Sequence, residues 1–403
     1  MELFWLEHKK LWRKKIVKIC VLLCFVYCVI FGSILLFQWF GFGSSDDYTS
    51  AFGNNFDGYT VIKDSQEYAL SFGGELTDET LQKIVSDYQQ MEADGMGEEL
   101  EKTDWQIVNN WLGTLYPELR DTSNYKTMIS YVDPDKLTGF YERRQQVLDE
   151  FLEVSGQVGA EKEFLHQIER KVEKPFHYEW VEGWSTLLGS MVADLGVVMA
   201  LFLGIVLSSL FAGEWHDNTS TLVLATRNGW GKIALVKILT GLAFTVELFA
   251  LLAVSNVISQ LFFMGTAGWD MPIQNIKLIA VAPMNMLQAE IYEYAFVLLG
   301  AIGFAGIVMF ISAAVKNNVL TLLLSLAVVY GPMMIAEYLP YEMQKALDLI
   351  PLVGSSTDIF RTNTFRIFGK LIWSPYLLIT IPVLIGILCM PFAIRSWSRR
   401  MKA

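Results

Sequence analysis

Six long apolar runs set the pattern of this chain, at 19–40, 187–212, 238–264, 294–315, 319–336 and 371–394. Each is long enough for an α-helix to cross about 30 Å of hydrocarbon. The pattern predicts a polytopic α-helical membrane protein with six transmembrane helices, which places both termini on the same side. The fourth and fifth runs are separated only by Lys316, Asn317 and Asn318. So tight a turn predicts an antiparallel pair, and Pro332, Pro375, Pro382 and Pro391 predict kinks or ends in the last spans.

Between the first two runs lies a polar insert, 41–185, of about one domain's length. Tyr59 to Ile62 and Tyr68 to Phe72 alternate as a short hairpin closed by Gly73-Gly74. Helical spacing then takes over. Thr77 caps a run with Leu81, Ile84, Tyr88 and Met91 on one face. Asp133-Pro134 opens another with Leu137, Phe140, Val147 and Phe151, and a third covers 159–173. Trp105, Trp111, Leu112 and Leu115 read as the core of this mainly helical insert. Near the other end, 337–370 is amphipathic, with Pro340 and Pro351 bracketing a short helix over 341–350 that lies outside or re-enters the membrane.

The first eighteen residues carry an amphipathic signal of a different kind. On a helical wheel Lys9, Lys10, Arg13 and Lys14 oppose Phe4, Trp5, Leu11, Trp12 and Ile16, as in a helix lying at the surface of the lipid bilayer. The run 19–40 that follows is too long for a signal-peptide core and reads as an uncleaved first span.

Charge sharpens this picture once it is divided by region. The net charge of -11 conceals 12 Lys/Arg against 29 Asp/Glu in the insert, and 19 against 13 elsewhere. The chain is an acidic insert on a basic membrane body, with nothing favouring nucleic acid. Fourteen Lys/Arg fall on the side of the termini and five in the short loops opposite. That bias assigns the termini to the cytoplasm and makes the insert extracellular. Cys20, Cys24, Cys28 and Cys389 all lie in apolar runs and read as packing residues, so the insert has no disulfide framework. Asp194 and Glu247 are the ionisable residues read within spans, hence candidates for a translocation path.

The polar island 213–237, between the second and third runs, carries the strongest motif. Asp217 or Asn218 caps one or two turns over 219–226, with Leu222 and Leu224 as apolar contacts and Asn228-Gly229 as a left-handed stop. Glu214, Thr219, Leu222, Leu224, Arg227 and Lys237 stand in the order found in the coupling loop of permeases. With the amphipathic helix, one span, a large insert and five further spans, the chain resembles the permease subunit of a type-2 ABC transporter. It departs from that family's pattern at Asn218, where a Gly is usual, and at Ala225-Thr226, which replaces a Pro.

The resemblance implies an exporter built from two permease subunits, a second copy or a related chain, with an ABC ATPase docked on 213–237. No GxxxxGK[ST] phosphate loop occurs, so ATP and magnesium are expected on that separate ATPase and no cofactor on this chain. An amphiphilic peptide, a lipid-like compound or a drug fits the resemblance as substrate, and a bacterial plasma membrane fits the composition. Two other readings remain: a sensor or scaffold whose insert binds a ligand, and a four-span mechanotransmission-type ABC permease.

Overall fold

The computed structural model describes residues 2–40, 62, 66–67, 73–96, 105–121, 123, 126–219, 231–354 and 362–399. This part of the chain is mostly helical. Five of its helices are long and apolar enough to cross a membrane: Leu195–His216, Gly231–Met264, Met286–Val315, Asn318–Tyr338 and Ser374–Ser398.

The chain opens with α1 (Glu2–Arg13), a break at Lys14, and α2 (Lys15–Phe40), which covers the first apolar run. In the insert, α3 (Asp78–Met91) starts at the expected cap, where the Thr77 side chain accepts from the Thr80 amide at 3.2 Å. Leu81, Ile84, Val85 and Tyr88 form its buried face. In α4 (Trp105–Leu115), Trp111, Leu112 and Leu115 are buried as core residues.

The run that opens at Asp133-Pro134 is divided. A single 3-10 turn ends at Lys136, and α5 (Phe140–Val154) begins only after Gly139, whose φ is +71°. The carboxylate of Asp78 supplies the missing cap from another helix, accepting from the Gly139 and Phe140 amides at 2.7 and 2.9 Å. Next, α6 (Ala160–Glu169) is shorter than the pattern predicts. β1 (Gly74–Glu75) and β2 (His177–Tyr178) close the insert as an antiparallel ladder. Of the hairpin expected over 59–72 only residues 62, 66 and 67 are described, and these are helical, not extended.

The hydrophobic core of the insert does not close on itself. It continues into the connection 265–285, burying Met271, Ile273, Leu278, Ala280 and Val281 beside Trp111, Tyr178 and Trp180. Polar groups pin the two together. The indoles of Trp111, Trp180 and Trp184 donate to the carbonyls of Asn275, Met264 and Ala267 at 2.9, 3.0 and 2.9 Å. Gly268 is required here, because a Cβ at its position would lie 2.2 Å from the Trp180 carbonyl oxygen.

From the insert the chain enters the membrane body as one helical run: α7 (Glu182–Thr186), a π-helical turn, and α8 (Val192–His216). α9 (Gly231–Met264), α10 (Met286–Val315) and α11 (Asn318–Ile335) follow. Lys316, in the left-handed region at φ 64°, turns α10 into α11, and Asn317 caps the latter by accepting from the Leu320 amide at 3.0 Å.

After α12 (Tyr341–Leu347), residues 349–354 dip among the membrane helices, where Leu352 and Val353 are buried. An antiparallel hairpin, β3 (Thr364–Ile367) with β4 (Lys370–Trp373), then leads to α13 (Ser374–Arg399). The sequence pattern anticipates the helix in this segment but not the hairpin.

The body has two dissimilar ends. At one, α1 meets α8 and α9, and the ends of α8, α10 and α13 gather, with the Lys316 ammonium 4.2 Å from the centroid of the Trp215 ring and Trp215 edge-on to Trp397. The other end carries the insert, the connection 265–285 and the hairpin. Arg366 of the hairpin pairs with Glu161 of the insert at 2.5 Å.

Candidate functional site

Glu214 is the residue around which the first of these ends is built. α8 runs through His216, four residues beyond the expected end of the second span, and so carries Glu214 on its last turn. The helix stops because Asn218 adopts a left-handed conformation at φ 55°, which Asn tolerates better than most side chains. The Thr219 amide then reaches back to the Glu214 carbonyl at 3.0 Å. Asn218 therefore ends a membrane helix, where the sequence pattern offered it as a cap for the helix that follows.

That stop turns the Thr219 hydroxyl back onto the Glu214 carboxylate, to which it donates. The other carboxylate oxygen receives two ammonium groups: Lys237 of α9 at 2.8 Å and Lys10 of α1 at 2.6 Å. Lys237 in turn reaches Glu7 of α1 at 2.9 Å. Glu214 is 4% and Lys237 2% exposed. A buried carboxylate is tolerable only with such partners, since an unpaired charge there would be strongly destabilising.

Lys14 completes the cluster by donating to the Ser209 hydroxyl at 3.0 Å. Burial lowers the pKa of Lys14, and the neighbouring charges of Lys237 and Lys10 lower it further. At Lys10, burial acts in the same direction but the Glu214 carboxylate outweighs it, and the pKa is raised.

A second contact fixes α1 along α9. Glu247 accepts from the Trp12 indole at 3.0 Å, and its other oxygen lies 3.1 Å from the His8 imidazole. Trp12 also stacks edge-on against Phe244, with ring centroids 5.8 Å apart. Thus Glu214, Thr219 and Lys237, chosen from the loop, come together with Lys10, Trp12 and Lys14, chosen from the amphipathic helix. The basic residues here divide: Lys10, half-exposed, and Lys14, just after α1, direct their ammonium groups to Glu214 and Ser209, while Lys9 and Arg13 are exposed. Leu222, Leu224 and Arg227 lie outside the described residues, as does the side chain of Asp194.

Sequence reasoning missed Glu7, His8 and Ser209, because nothing local marks a partner some two hundred residues away. It also missed two acidic residues in a membrane-length helix. α10 starts at Met286, well before the expected Tyr294, through a reciprocal cap between Asn285 and Gln288 with bonds of 2.8 and 3.1 Å. Glu290 and Glu293 therefore lie within it, 4% and 0% exposed. The Asn-x-x-Gln spacing was the available signal.

The arrangement around Glu214 is a network of buried charges and hydrogen bonds shared by α1, α8 and α9. Its capability is mechanical: one carboxylate ties α1, α8 and α9 at the two roots of the segment 220–230. No protein-family model, curated protein or solved structure matches this chain.

Proposed function

We propose that this chain is the membrane-spanning permease subunit of a type-2 ABC transporter, with six spans, cytoplasmic termini and an extracellular insert. A separate ATPase docks on the loop 213–237. The observation that carries this reading is the Glu214 cluster. Both roots of the loop, Glu214–Thr219 on one side and Lys237 on the other, are bound to each other and to α1. Force applied to the loop is therefore delivered to three helices together instead of being absorbed by a slack connection.

In this reading Leu222 and Leu224 give apolar contact to the ATPase and Arg227 anchors it by charge. α1 lies along the cytoplasmic membrane surface, and a second permease copy or a related chain completes the path for an amphiphilic substrate. The test is to purify the tagged chain from its host in mild detergent and assay the complex for ATP hydrolysis. An ATPase subunit should co-purify and be lost on Leu222→Asp while the permease itself remains folded. A complex that keeps its ATPase in that variant would overturn the docking assignment.

A second reading, a sensor whose insert binds a ligand, is favoured by the core that the insert shares with the connection 265–285. Ligand binding outside would be felt directly by α9 and α10. A response to ligand without any ATPase in the complex would decide for it.

A further inference from the structure

The insert and the connection 265–285 enclose a cleft of about 810 Å³ at their junction. This volume falls within the range that takes a small organic ligand. One wall is the exposed side of α4, with Asn109, Asn110 and Thr114; the facing walls are the strand of chain through Lys277 and the turn from Lys126 to Tyr131.

These walls are held by directional bonds. Trp111 donates to the Asn275 carbonyl at 2.9 Å, and the buried Arg144 to the Leu278 carbonyl at 2.7 Å, which fixes the connection on either side of Lys277. Across the cleft, Gln89 donates to the Ile129 and Val132 carbonyls at 3.0 and 2.7 Å, and Asn109 accepts from the Ile129 amide at 3.2 Å. Tyr131 accepts from the Asp121 amide at 2.9 Å. The cleft is thus formed before any ligand arrives, and little ordering is needed on binding.

Its charge runs against its surroundings. The insert has more than twice as many acidic as basic residues, yet the lining holds Arg120, Lys126 and Lys277 against Asp121 alone. Lys126 is neutralised by Glu92 at 2.7 Å, and Asp121 accepts from the Ser123 amide and hydroxyl. Arg120 and Lys277 form no ion pair with any described residue and are exposed at the rim. Two cations unpaired among the described residues, above a floor of amide and hydroxyl groups, suit an oxyanion carried on a hydroxylated scaffold.

We infer that the cleft between α4 and the connection 265–285 binds a small hydroxylated compound bearing a phosphate or carboxylate, held by Arg120 and Lys277. The site is independent of the transporter reading and stands equally for a sensor. It would place a ligand where the insert meets the loop joining α9 to α10.

Isothermal titration of the full-length chain in nanodiscs tests this with three probes that share one sugar: glucose 1-phosphate, glucuronate and glucose. At least one charged probe should bind saturably, and glucose much more weakly. Each of Arg120→Gln and Lys277→Gln should weaken that binding about tenfold, since a charge-assisted hydrogen bond is lost. Both residues are exposed, so an unchanged thermal midpoint is expected and separates loss of binding from loss of fold. Whichever charged probe binds more tightly identifies the oxyanion. The inference is overturned if no probe binds, if glucose binds as tightly, or if both variants bind as well as the parent.

Discussion

The Lys237 ammonium donates to the Glu214 carboxylate at 2.8 Å, joining the last turn of α8 to the first turns of α9 across the loop between them. Both groups are buried, so removing one leaves the other charged and short of a partner. Glu214→Ala should cost about 3 kcal/mol, the lower end for breaking a buried pair, because Glu7 still contacts Lys237. Replacing both, as Glu214→Leu with Lys237→Met, should recover much of that loss. Thermal unfolding in one detergent measures all three; a double variant no better than Glu214→Ala would mean that the pair stabilises through more than its charge balance.

Acid should act on the insert through a different pair. Arg144 and Glu169 meet at 2.5 Å, fully buried, and Lys174 reaches the same carboxylate at 2.8 Å. Burial by itself raises the pKa of Glu169, but hydrogen bonds from Lys174 and Arg144 outweigh it and the net shift is downward. A carboxylate with a lower pKa in the folded state stabilises above its unfolded value, about 4.3, and that contribution is lost as pH falls through the folded value. The insert should therefore lose stability below about pH 4.3. Glu169→Gln should be costly at pH 7 and progressively less costly as pH falls below about 4.3; tryptophan fluorescence unfolding at pH 7 and across that acid range decides, and a cost that does not fall with pH would refute the linkage.

What the sequence made legible was whatever is encoded locally. Apolar length marked the spans, and Thr77 marked the start of α3 through its own side chain. The start of α10 was misplaced because Glu290 and Glu293 looked like loop residues, although Asn285 and Gln288 were already in capping register. The connection 265–285 has no helical or strand period, so its place in the insert core was invisible. So was the cluster at Glu214: the loop residues could be picked by resemblance, but Lys10 and Glu7 join them only through the packing of α1 on α9.

The shared core makes Trp111 a joint residue of insert and connection. Trp111→Phe keeps most of the buried ring but loses the bond to the Asn275 carbonyl, which should cost about 1–2 kcal/mol. Trp111→Ala also opens a cavity and should cost about 3–5 kcal/mol. Limited proteolysis provides a local readout: cleavage within 265–285 should rise modestly in the first variant and sharply in the second. If cleavage rose only inside the insert, the two would not be held together by this side chain.

The membrane body offers the sharpest contrast, between two glycines inside long helices. A Cβ added at Gly306 of α10 would lie 2.4 Å from the Gly386 carbonyl oxygen of α13, and backbone cannot yield as a flexible side chain does. At Gly331 of α11 an added Cβ meets nothing within 4 Å beyond its chain neighbours, one of which is Pro332. Small residues let membrane helices approach closely, and their packing replaces a hydrophobic effect that lipid does not provide. Gly306→Ala should force α10 and α13 apart and cost about 3 kcal/mol. Gly331→Ala should be close to neutral, because the better helix propensity of Ala is offset by its Cβ crowding the ring of Pro332. Unfolding midpoints and monodispersity of the two proteins in the same detergent compare them directly. Equal behaviour would show that α10 and α13 separate freely in solution, and that their close contact does not hold the body together.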